Sequence, residues 1–276
     1  MNASSDQGRE RARALVSARA LRQHLLDLGN AAAPGRLLGA VLDEIGLAER
    51  YLSLAETPVG TVYVAFRGGA ICGVAPALDD ASFERTYRAR TGRSARRADM
   101  VPPDLLAAIE RHLAGDPADL ELDLRGLSEF ERAVLLKARE IPRGEIRPYG
   151  WIAREIGRPG AVRAVGSALN KNPIPLLIPC HRVVKSDGQI GEYAFGPSMK
   201  RALLASEGLD IAQIEALAQA RVRFVGDDES GLFCLPSCRR VRGKPLAGLR
   251  RLPTSSAAQA AGYRPCPSCR PVAEAV

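Results

Sequence analysis

No apolar stretch in the 276 residues approaches the roughly twenty uninterrupted positions that span a bilayer. The first residues also lack the charged-then-apolar order of a secretory signal, because Arg13, Arg19 and Arg22 interrupt the apolar positions. Both absences argue against a membrane or secreted protein. A cytoplasmic location is expected, nucleoid-associated in a bacterium. Aromatic residues are scarce at 5%, and histidine occurs three times. One of those histidines, His181, directly follows a cysteine. There are six cysteines, and in an intracellular chain they argue for metal binding or catalysis before disulfides.

Acidic residues are also unevenly scarce. The formal net charge is +8. Residues 1–126 hold 16 Lys/Arg against 17 Asp/Glu, whereas residues 127–208 hold 13 against 8 and residues 221–276 hold 10 against 4. Two basic regions thus follow a near-neutral first part. Clustered positive charge is the footprint of a polyanion partner, although a solubilising charged surface has the same composition.

The length accommodates one large domain or two to three smaller ones. Residues 1–48 are rich in Ala, Leu and Arg with helical periodicity, and read as a helical extension broken near Asn30–Gly35. Residues 49–126 read as a small α/β domain. Thr61–Phe66 and Ala70–Val74 flank Gly68-Gly69 as a hairpin, with helices at 80–91 and 103–114. Cys72 in the second strand reads as a buried structural thiol. Residues 127–208 read as helical. Ser128-x-x-Glu131 is a capping box opening a helix to about Arg139. A short helix over Trp151–Ile156 stops at Gly157, and Pro159 starts another carrying Ala161 to Leu169. Helix, Gly-containing turn, helix is the helix-turn-helix pattern, shared with any two-helix corner. A last helix covers about Ser198–Glu207. Residues 209–220 read as an Ala-rich connector, and residues 221–276 as a separate module rich in Pro, Arg and Cys.

Within the helical part, Pro179-Cys180-His181-Arg182-Val183 follows the apolar run Ile174–Ile178 and the turn Asn172-Pro173. Most free cysteines are small buried hydrophobes. Here, however, a base and a cation adjoin the sulfur. A thiol is nucleophilic only as thiolate, and such neighbours raise the thiolate fraction. The segment therefore reads as a buried, activated acceptor thiol.

These residues resemble the catalytic domain of the O6-alkylguanine-DNA alkyltransferase family. The resemblance covers residues 127–208 and rests on Arg163-Ala164-Val165-Gly166, Asn172-Pro173, Ile178 through Val184, Lys200, Leu203-Leu204 and Glu207-Gly208 in order. It implies irreversible, single-turnover transfer of an alkyl group from O6-alkylguanine, or O4-alkylthymine, to Cys180, with no organic cofactor and a flipped base in double-stranded DNA. His181 would take the thiol proton through a water and Glu207 would set its tautomer. Tyr149 would donate to the leaving guanine oxygen, Asn172 would brace the turn, and Lys200 would lie near the pocket, unless it is a plain surface lysine. The small residues Ala161, Ala164, Ser167 and Ala168 would let the helix approach a minor groove, with Arg163 entering the stack and Arg182 adding DNA-binding charge. Tyr193 and Phe195 would line the base pocket. Bulky Phe195 departs from the small residue of many relatives, which narrows the alkyl groups expected to fit. A monomer is expected.

Cys234-x3-Cys238 and Cys266-x2-Cys269 are separated by 27 residues and supply four ligands for one zinc ion; two disulfides would fit the same spacing. Phe224 through Pro271 resembles the metal-binding domain of the Ada family, on Gly231-Leu232-Phe233-Cys234-Leu235-Pro236-Ser237-Cys238 and Ala261-Gly262-Tyr263-Arg264-Pro265-Cys266. That resemblance makes Cys234 a second candidate acceptor, for methyl phosphotriesters, beside a purely structural zinc role. Arg239, Arg240, Arg242, Arg250 and Arg251 would contact phosphates. The metal domain comes last here and first in Ada, and no transcription-factor helix-turn-helix follows it. The alternative to a repair methyltransferase is a non-repairing lesion binder or an alkylation-responsive transcriptional sensor.

Overall fold

The computed structural model describes residues 48–271 apart from 56, 117 and 118, so the expected helices of the N-terminal extension lie outside the described residues. Three strands, β1 (Glu49–Leu54), β2 (Val62–Arg67) and β3 (Ala70–Pro76), form an antiparallel meander. Gly68 and Gly69, at φ 55° and 88°, close the expected hairpin. Positive φ at both central turn residues matches the right-handed twist of the strands. A short β4 (Ala95–Arg97) joins β1 in parallel, giving the order β3-β2-β1-β4.

Strand alternation splits this sheet into two apolar faces. Tyr51, Tyr63, Ala65 and Cys72 point to one side and meet Phe83 and Tyr87 of α1 (Asp80–Thr91). Ring centroids of 4.9 to 5.8 Å make this an aromatic cluster. Cys72 is buried beneath it, as expected of a structural thiol, and burial pushes it up to about 11. Leu52, Val62, Val64, Phe66, Ile71 and Val74 point to the other side, into the main core.

That core is completed by helices. Ile109 comes from α2 (Pro103–Ala114), and Val134, Leu135 and Ala138 from α3 (Glu129–Arg139). The Ser128 capping box forms as read, with the Glu131 carboxylate accepting from Ser128 N at 2.8 Å. Next come α4 (Tyr149–Glu155) and α5 (Val162–Asn170), with Gly157 at φ 71° in the turn between them. Pro159 lies in that turn rather than at the start of α5. Two-residue strands β5 (Arg147–Pro148) and β6 (Val183–Val184) pair in parallel and tie the entry of α4 to the Cys-His segment.

α6 (Pro197–Ser206) begins on Pro197. The segment read as a connector is largely a helix, α7 (Ile211–Gln219), capped by Asp210. Ile214 packs with Ile146, Val184, Ile190 and Leu204, while Leu217 enters the core of the C-terminal module. The two apolar positions one turn apart thus make α7 a joint between cores. The module has strands β7 (Phe224–Asp227), β8 (Leu232–Cys234), β9 (Arg250–Leu252) and β10 (Arg264–Pro265) in the order β10-β8-β7-β9, with α8 (Ser255–Ala260) packed beside them. The architecture is the expected α/β part, helical part with helix-turn-helix, and small cysteine-bearing module. Among the described residues no helix is long and apolar enough to cross a membrane.

Candidate active site and metal centre

The 172–180 loop is folded around one amide. Asn172 Oδ1 accepts from Ile174 N at 3.0 Å, and its Nδ2 donates to Ile178 O at 3.0 Å and to Cys180 Sγ at 3.1 Å. Asn172 is buried, so these bonds offset its desolvation. Leu176 takes φ 73°, a left-handed conformation held by this loop. Cys180 then opens a single 3₁₀ turn, Cys180–Arg182.

Cys180 is only 8% exposed. Burial pushes its thiol above the ordinary value, while the Asn172 hydrogen bond, the Lys200 ammonium and Tyr193 pull it down. The helping cation is therefore Lys200, not the adjacent Arg182. Lys200 is fully buried, contrary to the plain surface lysine left open by the sequence. Its Nζ donates to Val183 O at 2.6 Å and Glu192 O at 3.2 Å. Burial lowers it to about 8, against the attraction of Cys180 and Glu192.

His181 is also buried. Its Nε2 lies 2.8 Å from Glu207 Oε1, and its Nδ1 has no hydrogen-bond partner among the described residues. Burial pushes the imidazole down and Glu207 pushes it back up, with a net lowering. A neutral ring with the proton on Nε2 leaves the Nδ1 lone pair available as a base. Burial acts to raise the Glu207 carboxyl, but hydrogen bonds and charge from His181 and Arg182 outweigh it and hold it at about 2. Arg182 donates from Nε to both Glu207 oxygens at 3.0 and 3.1 Å, from Nη2 at 2.8 Å, and from Nη1 to Ile141 O at 2.6 Å. Expected on a DNA surface, Arg182 is instead turned inward onto Glu207.

Tyr149 is half-buried at the start of α4, and burial with the Cys180 charge pushes its phenol up, so it keeps its proton at neutral pH. Its ring lies against Gly166, where an added Cβ would sit 3.9 Å away. Tyr193 is edge-on to His181 at 6.3 Å and to Phe195 at 5.5 Å, and the Arg90 guanidinium covers Phe195 at 5.9 Å. Phe195 thus caps the aromatic wall beside the sulfur. A cavity of about 540 Å³ lined by Ile146, Val162, Val184, Leu217 and Phe224 lies elsewhere, and Cys180 is not among its lining residues.

On α5, Arg163, Ala164 and Ser167 are exposed together, while Val165, Ala168 and Leu169 are buried. Ala168, expected on the outer face, belongs to the core. Ala161 is the half-buried cap of the helix.

Cys234, Cys238, Cys266 and Cys269 are buried and unpaired, with their four Sγ atoms within 4.8 Å of one another. Zinc held by four thiolates at about 2.3 Å needs sulfur separations of roughly 3.8 Å, so the set fits that ion. Hydrogen bonds among the sulfurs push the Cys234 thiol up and the Cys238 thiol down, and four thiolates so close require a cation to balance them.

The module is fastened to the alkyltransferase-like part. Trp151 Nε1 donates to Cys269 O at 3.0 Å, and the Arg147 and Arg270 guanidinium groups each lie over its ring, 5.6 and 5.2 Å from the centroid. A buried Glu145–Arg147 pair, 2.5 Å apart, accepts Arg239 N at 3.2 Å. Sequence reasoning missed these contacts. Glu145-x-Arg147 carries no local signature, because its partner lies more than ninety residues away.

Two family models match the chain. Residues 129–209 match the 6-O-methylguanine DNA methyltransferase DNA binding domain, and residues 216–272 match the metal binding domain of Ada. A methylated-DNA–protein-cysteine methyltransferase of Mycolicibacterium paratuberculosis is 53% identical over 89 residues, which is 32% of this chain and 53% of that protein. One of Methanothermobacter thermautotrophicus is 40% identical over 120 residues, covering 41% of this chain and 67% of the relative. The chain therefore belongs to the methylated-DNA–protein-cysteine methyltransferase family. It is also 37% identical over 170 residues to the bifunctional transcriptional activator/DNA repair enzyme Ada of Escherichia coli, covering 58% of this chain and 46% of Ada. The chain spans about half the length of the first curated relatives it matches.

Proposed function

We propose that this protein repairs alkylated double-stranded DNA by moving the alkyl group of O6-alkylguanine irreversibly onto Cys180. The observation that carries this reading is the buried sulfur held 3.1 Å from the Asn172 amide with a His181–Glu207 pair beside it, in a chain that also exposes Arg163, Ala164 and Ser167 together on one helix. A core cysteine has no need of such a polar shell.

The chemistry follows from the groups present. The thiol proton passes through a water to His181 Nδ1, while Glu207 keeps the ring in the Nε2–H tautomer. Lys200 and Asn172 stabilise the thiolate. Sulfur attacks the alkyl carbon, the carbon–oxygen bond breaks, the guanine oxygen takes the Tyr149 proton, and the proton taken up by His181 restores the Tyr149 phenol through water. The thioether is not hydrolysed, so each molecule acts once without an organic cofactor. The nucleotide must leave the stack, at a cost of a few kcal/mol. Arg163, exposed on α5 among small side chains, would fill the space left behind. Phe195 restricts the pocket toward methyl and ethyl groups.

In the C-terminal module, Cys234, Cys238, Cys266 and Cys269 would hold one zinc ion, which supplies folding energy to a segment with a small core. With Cys234 only 1% exposed, the structural role is the reading favoured here. Transfer from a methyl phosphotriester to Cys234 is a separate outcome of the same test.

The test is incubation of the full chain with an O6-methylguanine duplex, followed by mass analysis of its peptides. One methyl group on the Cys180 peptide and loss of the lesion are expected, while Cys180→Ala should bind the duplex and leave the lesion intact. A restored base with unmodified Cys180, or repeated turnover, would refute the assignment. Binding without transfer by the unaltered chain would instead favour the lesion-binder alternative.

A further inference from the structure

The loop around Cys238 grips one short segment of the alkyltransferase part. Arg242 N bonds back to Cys238 O at 2.9 Å, which fixes where the Arg242 side chain leaves the module. Its Nη1 donates to Gly144 O at 2.7 Å. Arg239 N donates to the Glu145 carboxylate, and Ser237 Oγ bridges Ile146, accepting from its N at 2.9 Å and donating to its O at 3.3 Å. Three consecutive residues, 144 to 146, are thus each held by a residue within four positions of Cys238.

The gripped segment is not remote from the chemistry. Gly144 N donates to Glu207 Oε2 at 3.2 Å, and Glu207 Oε1 holds His181 at 2.8 Å. Immediately downstream, Arg147 and Pro148 pair with Val183 and Val184, and Tyr149 follows. Gly144 has φ 71°, and a Cβ there would fall 1.9 Å from Arg242 Nη1 and 2.8 Å from the Glu207 carbonyl oxygen. Only glycine permits this approach. One residue, Gly144, therefore joins Arg242 at its carbonyl to Glu207 at its amide, through the two peptide groups that meet at its Cα.

We infer that Arg242 is a positioning residue for the Cys180 site: by holding Gly144 at its carbonyl it fixes the residue whose amide orients the Glu207 carboxylate on His181, making the C-terminal module part of the shell that supports transfer. This rests on the transfer reading above. A residue held at its carbonyl has less freedom to turn its own amide, and such outer partners sharpen the groups they support. Arg242 is exposed, so replacing it leaves the cores intact.

The experiment uses the full chain and compares wild type, Arg242→Met and Arg242→Lys. Three quantities are read: the single-turnover rate of methyl transfer at saturating O6-methylguanine duplex, duplex affinity, and solvent-exchange protection of the His181 Nε2 proton by NMR without DNA. Loss of one supporting hydrogen bond should slow transfer about three- to tenfold in Arg242→Met. Affinity should stay within about twofold, and protection of the imidazole proton should fall. Arg242→Lys, which keeps a donor, should recover part of both the rate and the protection. Wild-type transfer rate and unaltered protection in Arg242→Met would overturn the inference. So would a defect confined to affinity, which would make Arg242 a phosphate contact. If the wild-type chain transfers no methyl group to Cys180, the function reading fails separately, and the imidazole signal still decides whether Arg242 reaches His181.

Discussion

Replacing Glu207 by Gln should be costly, and its cost should fade with acid. The carboxylate accepts three contacts from Arg182, one from the Gly144 amide and one from His181, and its side chain is 8% exposed. Its value of about 2, against the ordinary 4.5, corresponds to about 3 kcal/mol of stability at neutral pH. A carboxyl lowered on folding contributes fully above its unfolded value and loses that contribution as pH falls through the folded one. The window is therefore from about pH 5 down to about 2. Gln keeps one acceptor but turns an N–H toward donors, leaving the inward-turned guanidinium of Arg182 without its counter-charge. Breaking such a pair from one side typically costs about 3–5 kcal/mol.

The assay is denaturant unfolding of wild type and Glu207→Gln at pH 7, 5, 3.5 and 2.5. Other lowered carboxyls, Glu131 among them, titrate in the same range, so the difference between the two proteins isolates Glu207. That difference should be about 3 kcal/mol at pH 7 and shrink steadily below pH 4.5. Methyl transfer at pH 7 should also slow, because the amide holds His181 less firmly in one tautomer. A difference under about 0.5 kcal/mol at pH 7, or one unchanged at pH 2.5, would show that the cluster is solvated and the reasoning wrong.

Arg163→Ala should leave unfolding stability within about 0.5 kcal/mol, since exposed substitutions rarely do more. It should slow transfer from duplex DNA more than from a single-stranded O6-methylguanine oligonucleotide; equal slowing on both would remove Arg163 from base extrusion. Trp151 is the only tryptophan, and its indole donates to the carbonyl of Cys269, so its fluorescence reports the seat of the module. Chelation of bound metal should change that emission and expose the module to protease, with recovery on adding zinc; emission indifferent to chelation would show that the cysteine cluster does not hold the module in place.

Legibility in the sequence divides along contact range. The hairpin at Gly68-Gly69, the Ser128 capping box and the helices 80–91 and 103–114 are set by neighbours within four residues, and sequence reading located them. The resemblance also singles out Asn172, Cys180, His181 and Glu207, whose partners are distant in sequence, and the fold brings them together. What failed was direction. Arg182 follows His181 and is expected to face DNA, yet the pull of a buried carboxylate 25 residues away outweighs adjacency. The resemblance puts Lys200 near the pocket, yet a plain surface lysine stays open beside it, because its acceptors, the Val183 and Glu192 carbonyls, are backbone groups that leave no trace in composition. The segment 209–220 reads as a connector because it is Ala-rich and only weakly amphipathic, though Ile214 and Leu217 suffice once two cores lie on either side. Gly144 shows the limit most sharply. Its letter announces a turn after Pro142, and the φ of 71° agrees. That the same glycine must also admit a guanidinium from a module almost a hundred residues away follows only from the assembled packing, so glycine there answers to two constraints at once, and substituting alanine would violate both.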